Sequence, residues 1–132
     1  VEFFTVAGVS TTEDWLQAQI TIAKLPDFCY TIAVIAGTEE RGRIDTVWGK
    51  FEVTRQAIKG GVRLTLTTCP NALAWTITTG YPPIPEQEVI HCTINRTAQS
   101  QDFIESIKEF VADWQAGLEQ KIVTNSCASL PQ

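Results

Sequence analysis

His91 is the one histidine in this 132-residue chain, so it is the first residue to examine for acid–base or metal chemistry. It stands in a run, Val89 to Asn95, whose alternation turns Ile90, Cys92 and Ile94 to one face of a strand and His91 and Thr93 to the other. A nucleophilic Cys–His pair needs a thiol within hydrogen-bond reach, and Cys92 points away. Cys69 could approach only if its strand pairs suitably. A half-exposed surface histidine is the simpler reading. The carboxylates come as isolated pairs, Glu13 with Asp14, Glu39 with Glu40, and Glu86 with Glu88. None has the density of oxygen ligands that a calcium loop needs, and solvated loop charge accounts for them. The chain contains no G-x-S-x-G, no H-E-x-x-H, no zinc-spaced cysteine pair and no glycine-rich phosphate loop. The expectation is therefore no catalytic set, no metal and no cofactor. A small hydrolase using His91 with Glu86 or Glu88 ranks last among the functional readings.

Binding chemistry has better candidates. Strand parity puts Trp48 on a polar face and Trp15 on a glutamine-bearing one, so both are expected as exposed aromatics of the kind that anchor interfaces. Tyr81, in the Pro-rich stretch Gly80 to Glu88, and His91 complete the proposed binding residues. Thr65, Thr67, Thr76, Thr78 and Thr93 would form a hydroxyl-bearing face if their strands are neighbours, which β-propensity alone explains.

These residues need a scaffold, and the bulk numbers bound it. At this length the expectation is a single domain over residues 1–132. With 44% hydrophobic and 19% charged residues, the composition is that of a globular chain rather than a disordered one. A net charge of −5 without any run of Lys or Arg argues against a nucleic-acid partner. No apolar run reaches membrane-spanning length, so no membrane partner is expected. Cys29, Cys69, Cys92 and Cys127 lack disulfide-framework or zinc spacings. Reduced thiols and a cytoplasmic setting follow as the expectation. The sequon Asn95-Arg96-Thr97 is a weak sign of secretion.

The most regular element is the stretch Ser100 to Ala116. Phe103, Ile107, Phe110, Val111, Trp114 and then Leu118 recur at steps of three and four, the stripe of an amphipathic helix. Ser100 is the expected N-cap and Gly117 the expected C-terminal stop, with 118–132 a weakly ordered tail. Before it, strands are expected at Glu2–Val6, Trp15–Ala23, Phe28–Ala36, Ile44–Arg55, Val62–Thr67, Leu73–Thr78 and Val89–Asn95; over 11–23 Thr12 followed by Glu13 and Asp14 could also open a helix, and the strict alternation from Leu16 to Ile22 favours the strand. Phe28–Ala36, apolar on both faces, reads as a central strand. Gly37 to Arg43 reads as a charged loop, and Gly49 as a bend or bulge.

No helical crossover separates the strands, which disfavours a parallel sheet. The expected fold class is α+β: a single curved antiparallel sheet of about six or seven strands, with the long C-terminal amphipathic helix packed across one face. Function follows less firmly. The leading reading is a non-catalytic protein-binding or adaptor domain, self-association included, that uses a sheet edge or the outer aromatic and Thr-rich face. The alternative is a carrier of a small apolar ligand in a pocket between sheet and helix.

Overall fold

A computed structural model of the chain describes residues 2–7, 11–69, 72–80, 87–94 and 101–129, with side chains to residue 122. Seven strands form one antiparallel sheet: β1 (Glu2–Ala7), β2 (Ala33–Gly37), β3 (Arg41–Thr46), β4 (Gly49–Ile58), β5 (Gly61–Leu66), β6 (Ala74–Thr78) and β7 (Glu88–Thr93). Their spatial order is β1-β7-β6-β5-β4-β3-β2. Strands two to seven thus form a meander, and β1 closes onto the last strand with Phe3 opposite Cys92 and Thr5 opposite Ile90. The sheet curves around the C-terminal helix α3 (Gln101–Ser129), as the alternation and the helical stripe together predict.

Between β1 and β2 the chain is helical, where alternation predicts a strand over Trp15–Ala23. Helix α1 spans Glu13–Gln19, a 3-10 turn follows at Ile22–Lys24, and the short α2 spans Leu25–Phe28. The physical cause lies at the ends. Thr12 Oγ1 accepts a hydrogen bond from Trp15 N at 3.1 Å, Glu13 and Asp14 occupy the first turn, and Pro26 sits in the first turn of α2, where no N–H is required. Leu16 and Ile20, four apart, are both fully buried, while Ala18, which alternation groups with them, is exposed. The carbonyl end of α1 has no glycine cap. Instead Arg55, reaching inward from β4, donates from Nε to Ile20 O at 2.6 Å and from Nη2 to Gln17 O.

Three further expectations are corrected. Phe28–Ala36 is not a central strand: Phe28, Cys29 and Ile32 are buried ahead of a strand, and β2 then runs along the sheet edge with Ala33, Ile35 and Ala36 exposed. Ile44–Arg55 is not one strand but the end of β3, a two-residue turn at Val47–Trp48, and β4, with Gly49 at φ +117°. That turn resets the alternation, so Thr46 is buried and Val47 is exposed. The stretch Gly37 to Arg43 is mostly strand, because β2 and β3 form a hairpin in which Gly37 faces Gly42.

Helix α3 does not stop at Gly117. A Cβ there would lie 1.8 Å from the carbonyl oxygen of Phe28, so this glycine serves the crossing of α2 over α3. Beyond it, Leu118 and Ile122 continue the buried stripe of Ile107, Phe110, Val111 and Trp114. Ser100 and the sequon lie outside the described residues.

Candidate functional site

Aromatic side chains occupy the space between the inner face of the sheet and α3. Trp48 stands 5.0 Å from Phe110, Phe110 5.1 Å from Trp75, Trp75 6.1 Å from Trp114, and Trp114 stacks on Phe28 at 5.9 Å. Trp15 closes the series, edge-on to Phe28 at 6.1 Å. The β3–β4 turn is tied to the helix by the same residue: Trp48 Nε1 donates to Ser106 Oγ at 2.8 Å, and Ser106 donates to Phe103 O at 2.6 Å. The two tryptophans expected as exposed anchors are therefore half-buried and packed against the core. For Trp48 the cause is the turn, which swings the ring over α3. For Trp15 it is the helix that replaces the expected strand.

Not every polar atom in this interior is satisfied. Trp75 and Trp114, 1% and 0% exposed, have indole N–H groups with no hydrogen-bond partner. Glu88 is likewise fully buried, and among the described residues no donor makes a well-formed hydrogen bond to either of its carboxyl oxygens, the amides of Glu88 itself and of Thr11 being nearby. Burial pushes its pKa up from 4.5 to about 7; the nearby backbone of Glu88 itself and of Thr11 offsets only part of that rise. Glu88 opens β7 on the inner face, opposite Ala7, with Thr79 beyond the end of β6 beside it and Thr79 N bonded to Gly60 O at 2.8 Å. A buried carboxyl with its pKa near 7 is protonated below neutral pH and about half ionised at pH 7. Sequence reasoning treated it as solvated loop charge. The signal was its parity with Ile90 and Cys92, which points it inward.

His91 lies on the outer face of β7 as parity predicts, half-exposed, with Nε2 3.6 Å from Glu2 Oε1. Its strand partners are Phe4 and Thr76, while Cys92 is buried on the other face and Cys69 packs against the core. No Cys–His pair forms. Burial raises the thiol pKa of Cys29 and pushes that of Cys92 up to about 12, which suits inert core residues. Tyr81 and Glu86 lie outside the described residues. The threonines do share the outer face of β5, β6 and β7, but Ala74 separates Thr65 from Thr93, so they form no continuous ladder. Among the described residues, no group of three or more His, Cys, Asp or Glu side chains could hold a metal ion. No described helix is long and apolar enough to cross a membrane.

Open clefts lie elsewhere on the surface. One of about 770 Å³ lies at the β2–β4 end of the sheet, lined by Ala36, Thr38, Arg41, Arg43, Glu52 and Thr54. Another of about 340 Å³ lies between β1 and α3, lined by Phe3, Phe4, Thr5, Lys108, Val111 and Ala112.

No family model matches the chain, and no curated protein matches it. Solved structures do. Protein XoxI from Bacillus cereus superposes with a TM-score of 0.67 at 12% identity, over 93% of this chain and 96% of that one. An uncharacterised protein from Bacillus thuringiensis gives 0.65 at 12% identity, over 93% and 99%. A START superfamily protein from Mycobacterium smegmatis gives 0.58 at 12% identity, over 94% and 97%. The chain shares the fold of these structures, a curved antiparallel sheet with a long C-terminal helix across it. The curved sheet wraps the C-terminal helix, so the sheet–helix interior holding Trp75 and Trp114 is the candidate site, with Glu88 on the same sheet face, four residues along β7 from Cys92, the strand partner of Trp75.

Proposed function

We propose that this protein binds a small apolar ligand between its sheet and α3, as a carrier or sensor rather than an enzyme. The observation that supports this is the set of buried polar atoms without a partner among the described residues: Trp75 Nε1 and Trp114 Nε1 against α3, and the Glu88 carboxyl farther along the inner face of the sheet. A buried polar group left without a partner costs about 1–3 kcal/mol. A ligand with an apolar body and a polar end would recover some of that cost while its body replaces contacts among the aromatic rings. Proteins of this fold typically bind small apolar ligands, which favours the reading over a protein adaptor.

The test is to purify the protein from its own host, look for a retained ligand by native mass spectrometry, and follow the indole N–H resonances of Trp75 and Trp114 while a medium-chain alcohol is added. A retained apolar molecule, or saturable shifts of both resonances, is expected. Neither one appearing overturns the reading.

One observation favours a second reading, association through the sheet edge. Strand β2 carries no charged residue, Ile35 on it is 48% exposed, and Tyr30 just before it is 81% exposed. A free apolar edge of this kind invites a further strand. An Ile35→Lys variant should then shift to a smaller species in light scattering; an unchanged mass for both proteins removes this reading.

A further inference from the structure

The charge and hydrogen-bonding character of the ligand's polar end can be read from Glu88. We propose that Glu88 is the polar anchor of the site and that it selects an uncharged amphiphile ending in a hydroxyl group. The proposal rests on the sheet–helix interior being a ligand site.

Glu88 is 0% exposed, on the inner face of β7, and neither of its oxygens accepts a well-formed hydrogen bond among the described residues. Its cross-strand neighbour is Ala7, itself fully buried, and Thr79 and Gly60 continue the row. These residues are small, and none of them offers a charge to Glu88. Among the described residues no ion pair joins Glu88 to a Lys or Arg; Arg43 pairs with Glu52, His91 with Glu2, and Lys121 with Asp27.

Such an acid in its neutral form offers one O–H donor and a carbonyl acceptor. A ligand hydroxyl matches both, accepting from the acid and donating to its carbonyl oxygen. A ligand carboxylate brings a charge that must leave water with no cation to meet it, and wherever Glu88 is ionised it also puts a second negative group against the first. An alkylammonium would have to leave water and ionise Glu88, and the cost of burying two charges roughly cancels their attraction. The indole N–H groups of Trp75 and Trp114 only donate, so they accept an alcohol and a carboxylate alike. Selectivity therefore falls to Glu88.

The experiment titrates n-decanol, decanoate and decylamine into the intact protein and into Glu88→Leu and Glu88→Gln variants, each below its aggregation limit, with calorimetry as the readout and circular dichroism as the folding control. In the wild type, decanol should bind about tenfold more tightly than decanoate or decylamine. In Glu88→Leu, decanol should weaken about tenfold, because its hydroxyl is left unpaired. In Glu88→Gln the amide still donates and accepts, so decanol should stay within about threefold, while at pH 8, where most of Glu88 is ionised in the wild type, decanoate gains about tenfold. If Glu88→Leu fails to fold, the wild-type ranking and Glu88→Gln still decide. Binding of all three probes with one affinity, or a decanoate-to-decanol ratio unchanged in every folded variant, overturns the anchor and leaves the ligand site standing. Failure of every probe to bind the wild type overturns both.

Discussion

At the scale of single residues, Glu88 and Trp114 illustrate two costs that a buried core can carry. The Glu88 carboxyl has its pKa raised to about 7 from 4.5, so between those values the folded protein holds a proton that the unfolded chain has lost. Stability from this group is therefore fully present below pH 4.5 and falls as pH rises toward and past 7, by up to about 3 kcal/mol. Urea midpoints for wild type and Glu88→Gln should diverge in that direction between pH 5 and pH 8, with the variant showing the flatter profile. A parallel pH dependence in the two proteins would mean that Glu88 is solvated. Trp114 is the opposite case, a large ring stacked on Phe28 and tilted against Trp75. Trp114→Ala should cost about 3–5 kcal/mol in chemical denaturation, from lost transfer energy and the cavity left behind. The inward position of Trp114 is plain from the helical stripe. That of Glu88 requires reading a charged residue as a strand's first inward position, against the usual habit of carboxylates.

At the scale of elements, the outcome is decided at ends and crossings. Gly117 sits in the interior of α3, where alanine would ordinarily improve helix propensity by about 1 kcal/mol. Here an added Cβ meets the Phe28 carbonyl at 1.8 Å, so Gly117→Ala should instead lower stability, by about 1–3 kcal/mol or more, through displacement of α2. A raised melting temperature for that variant would contradict the close crossing. Arg55 has a similar bridging part. Its guanidinium satisfies carbonyls at the end of α1, and Arg55→Met should cost about 1.5–3 kcal/mol. Hydrogen exchange should show the loss concentrated in residues 13–20. Neither role can be read along the chain, because Gly117 looks like a helix stop and Arg55 like one more polar position on an alternating strand. The helix over Glu13–Gln19 was partly legible, since Thr12 followed by Glu13 and Asp14 is a helix-start signal. The competing alternation of Leu16, Ala18, Ile20 and Ile22 pointed to a strand, and tertiary burial of Leu16 and Ile20 resolved it for the helix.

At the scale of the whole molecule, the architecture is legible in local pattern: an antiparallel sheet with apolar inward positions and one long amphipathic helix needing a cover. Those features follow from local period, because side chains alternate along a strand and recur every three or four residues on a helix, whatever surrounds them. Only the tertiary structure decided strand order, the edge position of β2, the packing of Trp15 and Trp48 against the core, and the placing of Trp75 and Glu88 on one sheet face with Trp114 against Trp75. The reason is that each depends on which segments lie side by side. A two-residue turn at Val47–Trp48 reverses inside and outside. A carboxylate becomes an unusual acid only when Ala7 and Thr79, far apart in the chain, are folded against it.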